Sequence, residues 1–178
     1  MTLRVLLLGF GGVGRAICEI LASRGTPGIS AMGGALNQMA GKVNIVGVLT
    51  KTRGAVWDEN GIDLNRLMEG SFDDPNNPHW TPPGVISSQQ AVNRINSYDV
   101  LMELSVVNME EKGFPAAQYI HTALTNHKHV VTANKGPVAF HYKSLKKVAQ
   151  DNNCILRFES AVMDGAPIFC LKRAGLRS

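Results

Sequence analysis

Aromatic residues make up only 6% of this 178-residue chain and charged residues 18%. Trp57 and Trp80 read as packing or loop residues, so no aromatic platform for stacking bases is in view. Basic residues exceed acidic ones by 18 to 14, a net +4 spread along the chain. Its densest runs, Lys143 to Lys147 and Lys172-Arg173, are too thin for a nucleic-acid footprint. No stretch approaches the roughly 18 consecutive apolar residues that a membrane helix needs. The opening apolar run is cut off after Leu8 by Gly9, Gly11 and Gly12, which is not a signal-peptide layout. Cys18, Cys154 and Cys170 are odd in number and far apart, as in a reducing compartment, and the chain is expected to be cytoplasmic. His121, His127 and His129 have no cysteine or acidic partner at metal-site spacing, and neither a P-loop nor a G-x-S-x-G is present.

What is there is apolar residues at 44% and eighteen glycines. Such a chain can build a core, and its length suits one domain at about 100–200 residues per domain. Arg4 to Leu8 is a continuous apolar run, the pattern of a strand covered on both faces. Val13, Ile17, Ile20 and Leu21 then recur at helical spacing, predicting a helix from Val13 to Ser23. Arg24 to Lys42 reads as a long connection and Val43 to Leu49 as the second strand. Asp63 is placed to cap a helix through Met68, and Ser87 or Ser88 another through Ile95. The prolines between Gly70 and Gly84 argue against regular structure there. Asp99 to Leu104 and His129 to Ala133 read as strands, with a helix opened by Pro115 between them. Tyr142 to Asp151 reads as a lysine-studded helix with Leu145 and Val148 inward, and Cys154 to Phe158 as a last strand. Alternating strands and helices imply right-handed crossovers and a doubly wound, mostly parallel α/β sheet.

Gly9-Phe10-Gly11-Gly12-Val13-Gly14 fits G-x-G-x-x-G between a buried strand and an amphipathic helix, the setting in which it binds dinucleotide pyrophosphates. The first glycine makes the turn, the second admits the diphosphate, and the third lets helix and strand pack closely. The helix N-terminus adds unpaired N–H groups and partial positive charge. An NAD enzyme usually ends its second strand with a carboxylate for the ribose hydroxyl. This strand runs instead into Lys51 and Arg53, which suit a 2′-phosphate, so NADP(H) is expected over NAD(H). Lys135 follows the carboxyl end of a buried strand, where ligands sit in open α/β sheets. Glu159 to Ile168 follows the next strand at the same edge.

With these segments assembled, the sequence resembles the homoserine dehydrogenases. The likeness lies in Gly9 to Arg15, in Gly54-Ala55-Val56-Trp57, in Val131-Thr132-Ala133-Asn134-Lys135 and in Glu159 to Ile168. It implies a Rossmann-type nucleotide domain and NAD(P)H-dependent interconversion of aspartate 4-semialdehyde and homoserine, on the route to threonine and methionine. Lys135 would lie near the nicotinamide and the reacting oxygen as a catalytic and cofactor-binding cation. Ser105 would line the nicotinamide side through its backbone. The carbonyls of Glu159, Val162, Asp164 and Ala166 would form a site for a monovalent cation, usually sodium; a plain turn that caps the following helix fits the same residues.

The family's chains continue into a substrate and dimerisation domain carrying a second catalytic lysine and a substrate-binding aspartate. Residues 1–166 are therefore expected to be the nucleotide domain and 167–178 the start of a connection to a catalytic half, with little turnover by this chain alone. Ile168, Phe169 and Leu171 would then be exposed and favour a homo-oligomer. A free-standing NADP(H)-binding or regulatory module, or a dehydrogenase of another small amino or oxo acid, remain the alternatives.

Overall fold

A computed structural model describes residues 2–23, 43–69, 81, 85–163, 169 and 175. Among them are six strands, β1 (Leu3–Leu8), β2 (Val43–Thr50), β3 (Gly54–Trp57), β4 (Val100–Glu103), β5 (His129–Thr132) and β6 (Leu156–Arg157). The helices are α1 (Gly12–Ala22), α2 (Leu64–Glu69), α3 (Ser88–Val92), α4 (Ala116–Thr125), α5 (Lys135–Asp151) and α6 (Glu159–Val162). One sheet takes all six strands in the order β3-β2-β1-β4-β5-β6, parallel except for the β2–β3 hairpin. This is the doubly wound arrangement the alternation implies. The Arg24–Lys42 connection and most of the proline-rich stretch lie outside the described residues. Thr81 pairs with Ala55, extending the β3 edge.

β1 is central because its side chains are apolar on both faces. Leu6 and Leu8 pack with Val46, Tyr98, Leu101 and Ile120 on one side, while Val5 and Leu7 pack with Phe10, Cys18, Ile45 and Val48 on the other. A register shift opposite Val5 and Leu6 skips Val46, so Ile45 and Val48 reach the same cluster despite the odd step between them. A side chain at Gly47, at that shift, would strike the Trp57 ring at 2.5 Å.

Helix ends follow their capping chemistry. Asp63 Oδ1 accepts from the Asn65 and Arg66 N–H groups, and Ser87 and Gln90 form a capping box. α3 stops at Val92 rather than Ile95, where the Tyr98 hydroxyl donates to the Val92 carbonyl at 2.7 Å. α5 begins seven residues before the expected Tyr142. Gly136 and Pro137 look like breakers in sequence, but the first turn of a helix requires no intrahelical N–H, and Asn134 caps it by accepting from Gly136 N. In α1 Gly14 and Cys18 are buried and Leu21 packs against the same cluster, as expected; Val13 and Ile20 are exposed, contrary to the periodicity, because Gly14 must sit against β1. The last strand shrinks to Leu156–Arg157. Phe169 is half-buried with its ring 5.5 Å from Phe158, not exposed as expected, and Ile168 and Leu171 lie outside the described residues.

At the amino end of the sheet, Asp99 holds Arg4 by both carboxylate oxygens and also accepts the Arg4 N–H. These bonds keep the Asp99 carboxyl below its ordinary value. A carboxyl with a lowered native value stabilises the fold above its unfolded value, about 3.8, and loses that contribution as pH falls toward the native one. Asp99→Asn is therefore expected to cost about 1 kcal/mol at neutral pH, since Arg4 remains partly solvated. Urea unfolding of the variant should also show a shallower loss of stability on acidification than the native chain.

Candidate functional site

Strand registry aligns the carboxyl ends of four strands. Leu49, Leu8, Glu103 and Thr132 are successive partners across β2, β1, β4 and β5. The glycine turn, Lys51, Ser105 and Lys135 therefore emerge along one edge, over three inter-strand steps of roughly 5 Å each. The chain winds outward from β1 to β2 and then returns to β4, so the direction reverses between β1 and β4. That reversal opens the crevice where doubly wound sheets take their ligands.

The glycines divide into two kinds. Gly9 has φ +97, and a side chain there would overlap the Leu104 carbonyl and lie 2.7 Å from Ser105 N. Gly14 would place a Cβ 2.7 Å from the Gly9 carbonyl. These two are demanded by the fold. Gly11 and Gly12 are exposed, and a Cβ on either would meet no atom of the described residues within 4 Å. Packing among the described residues does not require them, whereas a diphosphate approaching the α1 N-terminus would. The Phe10 side chain is buried in the core, so only its main chain is available to a ligand. Val13 and Arg15 are exposed on the first turn of α1.

β2 ends at Thr50, and residues 51–53 turn back into β3. The Thr50 hydroxyl closes this turn by accepting from Arg53 N at 2.8 Å. Gly9 N donates to the Leu49 carbonyl at 2.8 Å, fixing the glycine turn beside it. Lys51 is exposed and Arg53 half-buried.

On the other flank, sequence reasoning overlooked the centre of the arrangement. Glu103 ends the apolar run of β4 and is completely buried. Its Oε1 accepts from Ser105 N at 3.0 Å and from the Ser105 hydroxyl, and its Oε2 accepts from the Thr132 hydroxyl at 3.0 Å. Thr132 Oγ1 accepts in turn from Asn134 N, and Asn134 Nδ2 donates to the Ser105 carbonyl at 3.3 Å. Lys135 is exposed as the first residue of α5, not in a loop. The signal was present: a lone glutamate closing an apolar strand, with Thr132 and Asn134 near the end of its neighbour.

Burial raises the Glu103 carboxyl above its ordinary value, with hydrogen bonds from Ser105 and Thr132 pulling the other way.

Of the expected cation ligands, Glu159 and Val162 lie in α6, where the Glu159 carbonyl accepts from Met163 N at 3.2 Å. Asp164 and Ala166 lie outside the described residues. Among the described residues no group of three His, Cys, Asp or Glu is placed to hold a metal. His129 Nδ1 accepts from Ile155 N and helps dock the segment leading into β6. A cavity of about 650 Å³ between α5 and the β6 segment is lined by Glu159 but by none of the residues of the glycine turn, nor by Lys51, Ser105 or Lys135.

The family model for the homoserine dehydrogenase NAD-binding domain matches residues 9–159. The chain belongs to this family. The NAD(+)-dependent homoserine dehydrogenase of Pseudomonas canavaninivorans is 34% identical, over 97% of this chain and 47% of that relative. The homoserine dehydrogenase of Methanocaldococcus jannaschii is 31% identical, over 97% and 48%. A solved hyperthermophilic archaeal homoserine dehydrogenase in complex with NADPH superposes with a TM-score of 0.73 at 26% identity, covering 99% of this chain and 49% of that one. The chain thus spans about half the length of the homoserine dehydrogenases it matches.

Two tests of this geometry concern stability. Gly9→Ala is expected to cost about 2 kcal/mol or more, as a strained backbone with a blocked Cβ, while Gly12→Ala, at the first position of α1, should stay within about 0.5 kcal/mol in urea unfolding. A carboxyl raised in the native state contributes stability below its unfolded value, about 4.5, and loses it as pH rises through the native value. Stability measured upward from that pH should therefore decline, and Glu103→Gln should remove this part of the slope.

Proposed function

We propose that this chain binds a nicotinamide dinucleotide, NADP(H) in preference to NAD(H), and serves the interconversion of aspartate 4-semialdehyde and homoserine. The observation that carries the reading is the pair Gly11 and Gly12, exposed at the α1 N-terminus beside the β1–β4 crevice, where a Cβ would meet none of the described residues. Glycines that the fold does not need are explained by a ligand that must approach the main chain. Unpaired N–H groups and the helix dipole then favour the diphosphate there.

The rest of the edge follows from that anchor. On the β2 side, Lys51 and Arg53 can neutralise a ribose 2′-phosphate, and no carboxylate stands at the strand end to accept from a free 2′-hydroxyl. The adenosine half is therefore assigned to β2 and the nicotinamide half to β4 and β5. Ser105 would line the ring through its main chain, and the Lys135 ammonium would stabilise and protonate the reacting oxygen. The bound nicotinamide supplies or accepts the hydride. The NADPH complex of the archaeal relative and the NAD(+)-dependence of the Pseudomonas relative set out the two choices of nucleotide. We further assign residues 1–166 to the nucleotide domain, with the substrate's remaining contacts supplied from outside it, and the carbonyls of Glu159, Val162, Asp164 and Ala166 to a sodium ion.

Calorimetric titration with NADPH and NADH tests the reading. Replacing Lys51 and Arg53 by Ala should weaken NADPH by about 1–3 kcal/mol and NADH much less, as loss of charge-assisted phosphate contacts requires. Equal weakening of both nucleotides would remove the 2′-phosphate assignment, and no binding of either would remove the function.

A further inference from the structure

Glu103 is an expensive residue for its position. The other members of β4, Val100, Leu101 and Met102, are apolar, and a buried carboxylate costs folding free energy that an apolar side chain of similar size would not. Its hydrogen-bond partners are neutral: one main-chain N–H and two hydroxyls. What the carboxylate supplies is geometry. It is the common acceptor for donors from two strand ends, and the Thr132 hydroxyl it fixes also receives the Asn134 N–H. Asn134 caps α5 directly ahead of Lys135 and ties back to the Ser105 carbonyl. The first turn of α5 also packs against Gly113, where a Cβ on Gly136 would lie 2.7 Å from Gly113 Cα, a restraint separate from the ring.

We propose that Glu103, through Ser105, Thr132 and Asn134, is a positioning residue for the nicotinamide half of the dinucleotide site, an inference that rests on the dinucleotide reading above. It sets the separation between Ser105 at the end of β4 and Lys135 at the start of α5. The adenosine half is held by other bonds. The Gly9 N–H to Leu49 and the Thr50 hydroxyl on Arg53 do not pass through the carboxylate. Glu103 therefore governs one end of the ligand and not the other, which a purely structural residue would not do.

Removing both acceptor oxygens at similar volume, as in Glu103→Leu, breaks the ring; an amide would not, because a glutamine with Nε2 toward Thr132 Oγ1 donates to the hydroxyl's second lone pair and still accepts from Ser105. Thr132→Val removes the hydroxyl at constant shape, whereas Thr132→Ser keeps it. The test is calorimetric binding of NADPH and of 2′,5′-ADP to the native chain and to these three variants, with far-ultraviolet circular dichroism to confirm folding. Glu103→Leu and Thr132→Val should each weaken NADPH about tenfold, the loss of one to two hydrogen bonds, with 2′,5′-ADP unchanged and Thr132→Ser close to native. Should Glu103→Leu fail to fold, Thr132→Val carries the test alone. Native NADPH affinity in the folded variants, or an equal loss for 2′,5′-ADP, overturns the positioning role. Failure of the native chain to bind NADPH or 2′,5′-ADP overturns the dinucleotide reading itself, and this inference with it.

Discussion

The ends of β1 and β4 approach so closely at Gly9 that a methyl group there would overlap the main chain of Leu104 and Ser105. This one steric constraint organises the molecule. It places the glycine turn directly over the reversal of winding, sends α1 off with Gly14 pressed against Gly9, and aligns Leu49, Leu8, Glu103 and Thr132 in a single row. The glycine turn, Lys51, Ser105 and Lys135 all lie just beyond that row.

The two sides of the row are stabilised by different physics. Toward β2 the bonds are short-range and largely main chain, closed by a threonine hydroxyl over a three-residue turn. Toward β5 they converge on a buried carboxylate with neutral partners, a network that is tolerable only because each of its donors is satisfied. The strand β4 is therefore flanked by two carboxyl groups in opposite circumstances. Asp99 faces a guanidinium and is held low; Glu103 is enclosed by the sheet and pushed up.

Much of this could be read from residues. Apolar runs identified β1, β2, β4 and β5, since strands covered on both faces leave no other pattern, and the caps at Asp63 and Ser87 are visible as side-chain chemistry. The early start of α5 was hidden because Gly136 and Pro137 act as breakers within a helix but are harmless in its first turn. The facing of α1 was misread because a glycine, invisible to a count of apolar side chains, determines which side packs. The hairpin strand β3 is visible in sequence as a family motif but its antiparallel pairing is not, because that depends on the glycine at 54 with φ +93. Glu103 escaped notice because a strand reading counts apolar neighbours and discards the exception.

The tight hairpin between β2 and β3 has a consequence for how such a protein can diverge. Its geometry is supplied by Thr50 and by Gly54, while residues 51–53 project from it without entering either core cluster. Lys51 and Thr52 are exposed and belong to neither cluster, so exchanges at these two positions do not disturb the interior. On the proposed assignment of the 2′-phosphate to this turn, nucleotide preference can be retuned there one small step at a time without disturbing the Glu103 network on the opposite flank.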